Sequence, residues 1–122
     1  MVKNYVSIDI GGTAIKYGVI AADGKILTKD KMDTEAEKGG PEILNKVFGI
    51  VENYLDEYKI EGICISTAGM VDTEKGEIFY ASPLIPGYTG TKFKEVLEGK
   101  YSIPCEVEND VNCAGLAERI SG

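Results

Sequence analysis

The chain has 122 residues, which is enough for one domain but short for a two-lobed enzyme with a closing cleft. Its 43% hydrophobic and 27% charged residues are the balance of a globular protein with one core. The net charge of −7 disfavours nucleic-acid and membrane partners, because an acidic surface repels phosphate groups. The sequence has no histidine, which excludes His-based acid–base chemistry and His-ligated metals within this chain.

Three cysteines, Cys64, Cys105 and Cys113, stand far apart, and none belongs to a Cys-x-x-Cys pair. We interpret them as small buried hydrophobic residues in a reducing compartment rather than as a disulfide or a metal site. The sequence contains no apolar stretch long enough to span a bilayer and no signal-peptide pattern at its N-terminus. We therefore expect a cytoplasmic location.

The first third of the chain predicts three short strands. The strands cover residues 6–10, 15–20 and 25–28, and the turn Gly11-Gly12-Thr13 joins the first two. Asp23-Gly24 is a strong hairpin signal between the second and the third. We expect these strands to form an antiparallel meander.

Two helix–strand units follow the meander. Apolar residues at helical spacing predict a helix from Pro41 to about Tyr58, in which Gly49 costs roughly 1 kcal/mol of helix propensity. A continuous apolar run predicts a buried strand over residues 62–66. The remaining predicted elements are a short helix around residues 93–97, a strand over residues 104–108 and a helix from about Asp110.

This element order predicts a ribonuclease-H-like α/β domain over residues 1–122, with a mixed five-stranded sheet and helices on its faces. The first, fourth and fifth strands should be parallel, and right-handed crossovers between them then put both helices in defined places on the sheet. Their carboxyl ends then lie along one edge, where open α/β sheets bind ligands. We therefore expect the carboxylates of Asp9 and Asp110 to face one open groove at this edge.

Asp9, at the end of the first strand, precedes the turn Gly11-Gly12-Thr13. Two adjacent glycines let backbone N–H groups point outward and hold phosphate oxygens, and Thr13 adds a hydroxyl donor. Asp9 can hold Mg²⁺ through water, since Mg²⁺ prefers a carboxylate together with substrate phosphates. The alternative is a plain hairpin turn, which the aspartate before the glycines makes less favoured.

Asn109 and Asp110 stand where the last predicted strand ends and a helix begins. Phosphoryl transfer to a sugar hydroxyl needs a carboxylate that accepts the hydroxyl proton, and Asp110 suits that role. The Asn109 amide can donate to and accept from another hydroxyl. The alternative role is helix capping, which is compatible with catalysis.

Three further positions leave alternatives open. Ala68 and Gly69 let a ligand approach the backbone, but they equally suit a tight exit from a buried strand. Lys16 is the only basic residue near the predicted phosphate turn, although a strand lysine usually lies on a solvated face. Tyr88 could close over a sugar or pack onto the core.

Taken together, residues 9–13, residues 65–72 and residues 103–112 followed by Glu118 resemble the ROK family of repressors, open reading frames and sugar kinases. This family lies within the actin/hexokinase superfamily. The resemblance covers essentially the whole chain, with the motifs in order and at fitting separations. As a set the motifs are specific, whereas each motif alone is not.

The resemblance implies a glucokinase-like enzyme that transfers the γ-phosphate of ATP to a hexose-type hydroxyl. It implies that Asp110 is the base and that Asn109 binds the sugar. It also implies that the Gly11-Gly12-Thr13 turn holds the ATP phosphates and that Ala68 and Gly69 line the sugar pocket. The partners are then a sugar and ATP with Mg²⁺.

The sequence departs from the family pattern in two places. Tyr88 stands where the family often has tryptophan, and the sequence ends at Gly122, before the family's second lobe with its adenosine site and its Cys/His zinc site. We expect the chain to be the N-terminal lobe alone, inactive in isolation and able to form a homodimer through the surface that the second lobe normally covers.

Two alternatives to a kinase lobe stay open. The chain could be the sugar-sensing domain of a ROK regulator, although the first strand starts too close to Met1 for a preceding helix-turn-helix. It could also be another superfamily member that acts on a small acid or an amino sugar. The presence of both Asp9 and Asp110 favours the kinase.

Overall fold

The computed structural model describes residues 3–67, 70–72, 77–80 and 91–109 of the chain. The predictions for Ala68, Gly69, Tyr88 and Asp110 lie outside the described residues.

The described strands are β1 (Asn4–Ile10), β2 (Ala14–Ala21), β3 (Ile26–Asp33), β4 (Ile60–Thr67), β5 (Met70–Asp72), β6 (Glu77–Tyr80) and β7 (Cys105–Asn109). The described helices are α1 (Gly40–Glu57) and α2 (Phe93–Tyr101), with a one-turn 3₁₀ helix at Ala36–Lys38.

The main sheet has five strands in the order β3-β2-β1-β4-β7. β1 pairs antiparallel with β2, and β2 with β3, so the predicted meander is confirmed. β4 pairs parallel with both β1 and β7, which confirms the two predicted helix–strand units. β5 and β6 form a separate two-stranded sheet. The sequence predicts only a turn-rich stretch over residues 72–76 and a short extended piece over residues 78–80 in this region.

The core lies between the main sheet and the two helices. Alternate residues of β1, namely Val6, Ile8 and Ile10, are buried in it, as the twofold repeat of a strand requires. α1 and α2 turn an apolar face towards the same cluster; their buried residues include Ile43, Val47, Ile50, Val51, Phe93 and Leu97. Full burial of each large aliphatic side chain stabilises the fold by about 1.5–3 kcal/mol.

The end of β3 differs from its predicted position. The prediction placed it at Thr28, whereas β3 continues to Asp33 and pairs with β2 along its length. β3 is an edge strand, and most of its residues are exposed. The part of β3 beyond Thr28, which includes Lys29 and Lys31, therefore lacks the apolar alternation that identifies a strand in sequence. Charged residues are common on edge strands because they prevent pairing with other chains.

Two glycines in regular elements give a matched test of this packing. A Cβ atom at Gly18 of β2 would overlap the Thr28 carbonyl oxygen of β3, whereas one at Gly49 of α1 meets nothing within 4 Å. We expect Gly18→Ala to lower the free energy of unfolding by about 1–3 kcal/mol through overpacking. Gly49→Ala should raise it by about 1 kcal/mol through helix propensity. Urea denaturation measures both, and equal stability of the two variants would contradict the β2–β3 pairing.

Candidate functional site

The carboxyl ends of three parallel strands meet at one edge of the main sheet. The register places Asp9 of β1 beside Ser66 of β4, and Thr67 of β4 beside Asn109 of β7. Asn109 is the last residue of β7, and Asp110 is the next residue in the sequence. The structure thus brings Asp9 and Asn109 to the same edge from opposite ends of the described chain.

The Asp9 carboxylate is exposed at this edge and is oriented by a neighbour. Ser66 Oγ, on a residue that is only 3% exposed, donates a hydrogen bond of 3.1 Å to Asp9 Oδ1. Within the described part of the chain, the remaining lone pairs of the Asp9 carboxylate are available to solvent or to a ligand. The sequence alone does not reveal this contact, because it depends on the register between β1 and β4.

The two glycines of the turn between β1 and β2 differ in how closely the described chain packs against them. The Gly11 N–H donates to the Ala14 carbonyl oxygen at 3.0 Å, and a Cβ atom at Gly11 would lie 2.9 Å from that same oxygen. A Cβ atom at Gly12 would meet nothing within 4 Å, and Gly12 does not have a positive φ. Neither packing within the described chain nor backbone torsion therefore requires glycine at position 12. The exposed surface over Gly12 and Thr13 is open to a ligand.

A buried threonine, which sequence reasoning missed, lies behind this turn. Thr34 follows β3 and is fully buried. Its Oγ1 donates to the Gly11 carbonyl oxygen at 2.7 Å, and its N–H donates to the Thr13 carbonyl oxygen at 2.9 Å. Thr34 is distant in sequence from the residues that it contacts, and only the β2–β3 pairing brings it there. No local pattern in the sequence identifies it.

Lys16 of β2 lies directly opposite Asp9 in the β1–β2 pair, and Lys31 of β3 lies opposite Lys16. Together with Lys29 these residues line an open groove of about 410 Å³ over β1, β2 and β3. Among the described residues Lys16 makes no ion pair within 4.0 Å. The groove therefore places lysine side chains next to the Asp9 carboxylate in a chain that is acidic as a whole.

A single exposed carboxylate fits a magnesium ion that arrives with phosphate. Within the described ranges, no group of three or more Cys, Asp or Glu side chains is arranged to hold a metal ion. Mg²⁺ commonly takes one or two carboxylates together with substrate phosphates, and Asp9 meets that requirement.

Two of the three cysteines, Cys64 and Cys105, are described, and both are buried. Burial raises the pKa of the Cys105 thiol, and the nearby Glu98 carboxylate raises it further. The thiolate, which is the reactive form, is thus suppressed. This agrees with the interpretation of Cys64 and Cys105 as packing residues, while Cys113 lies outside the described residues.

The comparison with protein families decides the affiliation of this chain. A model described as the ROK family matches residues 5–122. The chain belongs to the ROK family. This ROK chain is 52% identical over 118 residues to an uncharacterized protein of Clostridium perfringens. The aligned residues cover 97% of the chain and 40% of that protein. It is also 35% identical over 117 residues to a β-glucoside kinase of Klebsiella pneumoniae. This alignment covers 95% of the chain and 37% of that enzyme.

Solved structures agree with this affiliation. A ROK glucokinase of Streptomyces griseus, solved with glucose and AMPPNP, superposes with a TM-score of 0.75 at 29% identity, covering 94% of this chain and 35% of that one. A ROK transcriptional regulator, a homologue of the Escherichia coli MLC protein, shares the fold at 20% identity with a TM-score of 0.77, covering 96% of this chain and 30% of that one. The predicted actin/hexokinase-like fold is confirmed. The chain spans about two fifths of the length of the curated relatives described above.

No helix in the described part of this ROK chain is both long enough and apolar enough to cross a membrane.

The segment behind the turn also contains a charged cluster with a measurable pH signature. Hydrogen bonds from Lys38 and Lys46 lower the pKa of Glu35 from 4.5 to about 2. The Glu35 carboxylate lies 2.8 Å from Lys38 Nζ and 2.7 Å from Lys46 Nζ. A carboxylate whose folded-state pKa is depressed stabilises the fold above its unfolded pKa, and this stabilisation is lost as the pH falls through its folded pKa.

We therefore expect Glu35→Gln to destabilise the chain slightly near neutral pH, with a difference from the parent that shrinks as the pH falls from 4.5 towards about 2. Urea midpoints across this pH range measure the difference. Glu37→Gln is the matched control, because Glu37 makes no ion pair within the described residues. If the difference in urea midpoint between Glu35→Gln and the parent stays constant with pH, the two lysines do not lower the pKa of the Glu35 carboxyl group.

Proposed function

We propose that this chain is the N-terminal lobe of an ATP-dependent sugar kinase that transfers the γ-phosphate to a hexose-type hydroxyl. The observation that carries the proposal is the meeting of Asp9, the Gly11-Gly12-Thr13 turn and the end of β7 at one sheet edge. Membership of the ROK family and the likeness to a β-glucoside kinase and a glucokinase support the same activity.

On this proposal the turn binds the phosphates of ATP. The backbone N–H groups of Gly12 and Thr13 and the Thr13 hydroxyl donate to phosphate oxygens, while the Gly11 N–H donates to Ala14 within the turn. Binding by backbone groups suits a chain whose overall charge repels anions. Asp9, oriented by Ser66, would hold Mg²⁺ beside the phosphates. The bound ion would neutralise the negative charge that the phosphates carry into the transition state.

The chemical step on this proposal belongs to Asp110, with Asn109 and Asp110 binding sugar hydroxyls and Ala68 and Gly69 lining the sugar pocket. The Asp110 carboxylate accepts the proton of the attacking hydroxyl. The hydroxyl oxygen forms a bond to the γ-phosphorus while the bond from that phosphorus to the β,γ-bridging oxygen breaks, and ADP leaves. Most of the acceleration comes from positioning and electrostatic stabilisation in a closed cleft, which one lobe cannot form alone.

A second candidate is a sugar-sensing domain without catalysis. The fold shared with the ROK transcriptional regulator is compatible with it. The Asp9 and Asp110 carboxylates favour the kinase, because a sensor needs neither a magnesium ligand nor a base. Turnover distinguishes the two candidates, since a sensor binds sugar without sugar-dependent release of ADP.

The open space over Gly12 gives the first test. We expect Gly12→Ala to leave the free energy of unfolding almost unchanged, because the new Cβ meets nothing within 4 Å. It should raise the Kd for Mg-ATP by at least about tenfold, or 1.4 kcal/mol, because the methyl group occupies the path of the phosphates. Binding is followed by the NMR shifts of the turn amides. Gly99→Ala is the control, since its Cβ is equally free but lies in α2. Equal Kd values for the parent and Gly12→Ala would show that this turn does not bind the phosphates of ATP.

The second test concerns the base. A chimera joins residues 1–122 to the part of the Klebsiella pneumoniae β-glucoside kinase that follows its matching segment. We expect Asp110→Asn in this chimera to lower kcat by at least roughly 10²-fold, the usual scale for a general base. The affinity for the sugar should change far less, because the amide keeps the shape and hydrogen bonding of the carboxylate.

A coupled ADP-release assay with hexoses, hexosamines and β-glucosides measures this turnover. The isolated chain, assayed in parallel, should show no sugar-dependent release, because water fills an open groove and weakens each polar contact. Unchanged turnover in Asp110→Asn would reduce Asp110 to a helix cap. Turnover by the isolated chain, abolished by the same substitution, would show that one lobe is sufficient.

A further inference from the structure

The buried hydroxyl of Thr34 determines the direction of one peptide group in the β1–β2 turn. The Gly11 carbonyl, which accepts the 2.7 Å hydrogen bond from Thr34 Oγ1, belongs to the same peptide unit as the Gly12 N–H. In a planar trans peptide the C=O and N–H bonds point in opposite directions. Holding the Gly11 carbonyl inward therefore turns the Gly12 N–H outward. Among the described residues this N–H donates to no backbone acceptor outside the regular elements.

A second contact from Thr34 holds another carbonyl of the turn, two peptide units further along. The Thr34 N–H donates to the Thr13 carbonyl oxygen at 2.9 Å. One fully buried residue thus binds two carbonyls of the turn from the inner side. A hydrogen bond at a buried site is costly to leave unmade, so this geometry is kept in the folded state.

Lys46 of α1 fixes the segment that contains Thr34. Its Nζ donates to the Asp33 carbonyl oxygen at 2.7 Å, to the Thr34 carbonyl oxygen at 3.2 Å and to Glu35 Oε1 at 2.7 Å. The Lys46 side chain is only 14% exposed, so its ammonium group depends on these acceptors rather than on water. Glu35 has a left-handed φ of 54°, which is unfavourable for a residue with a side chain and is retained here beside the two lysines.

We propose that Thr34 is a positioning residue for phosphate binding, and that Lys46 supports it, so that helix α1 determines how the turn amides face the nucleotide. The inference rests on the proposed function, since it concerns the same phosphate turn. It goes further by assigning the orientation of the Gly12 N–H to two residues that do not touch the ligand. A merely structural role would affect stability without affecting nucleotide affinity.

The test measures Mg-ATP binding to the ¹⁵N-labelled 122-residue chain through the amide shifts of Gly11, Gly12 and Thr13, with urea unfolding of each variant. Thr34→Val keeps the shape of the side chain but removes the hydroxyl. We expect it to raise the Kd by about twofold to thirtyfold, the scale on which residues act through a neighbouring element. Thr34→Ser restores the hydroxyl and should restore the affinity.

Ile60→Val is the matched stability control, because Ile60 is buried at the opposite end of β4. It should lower the urea midpoint and leave the Kd unchanged. Should Thr34→Val not fold, Lys46→Met takes its place, with Lys46→Arg as the conservative partner. Lys46→Met should raise the Kd and Lys46→Arg should raise it less.

Each outcome decides a separate point. If the parent binds Mg-ATP at these amides and Thr34→Val or Lys46→Met binds equally well, the inference is wrong while the phosphate turn stands. If the control loses as much affinity as Thr34→Val, the effect is one of stability alone, and the inference is again wrong. If the parent shows no Mg-ATP-dependent shifts at the turn, phosphate binding by this chain fails, and the positioning role fails with it.

Discussion

The parallel pairing of β1 with β4 is the constraint on which the site depends. It places Asp9 beside Ser66 and brings the end of β7, on the other side of β4, to the same edge. Parallel strands need a crossover, and α1 and α2 supply the two crossovers while covering the core face of the sheet. The hydrophobic burial that stabilises the domain and the convergence of its polar residues therefore have one cause. Any change that shifted the β1–β4 register by one residue would turn Asp9 into the core.

The fold was largely predictable because its core elements carry strong periodic signals. The apolar face of α1 and the continuous apolar run of β4 depend only on neighbouring residues and on burial. The second half of β3 was not predictable, since its stability comes from pairing with β2 at an exposed edge, where charged residues are tolerated. Ile26 and Leu27 at its start are the exposed large hydrophobic residues of the described part.

How much of the site could be predicted from the sequence differs from residue to residue. Asp9 and the two glycines could be predicted because they are close together in the sequence, and two adjacent glycines indicate a turn. The roles assigned to Asn109, Asp110, Ala68 and Gly69 remain predictions that depend on the family resemblance. The contact of Thr34 with Gly11 could not be predicted, because the two residues are 23 positions apart in the sequence and only the meander brings them together. Interactions that orient a site from behind depend on tertiary structure, and a single threonine after a polar strand carries no pattern of its own.

The electrostatics of the chain explain why backbone groups rather than side chains dominate the proposed phosphate site. With a net charge of −7, the domain as a whole repels a nucleotide. Peptide N–H groups that point outward present partial positive charge at short range, and they do so without the entropy cost of ordering a long side chain. They attract phosphate only if they are held in that orientation before the ligand arrives. Lys16 and Lys31 add local positive charge on the groove side of Asp9, but as exposed side chains in water they are screened. The affinity of such a site therefore depends more on the rigidity of the turn than on the number of lysines near it, and that rigidity comes from Thr34 and from helix α1 behind it.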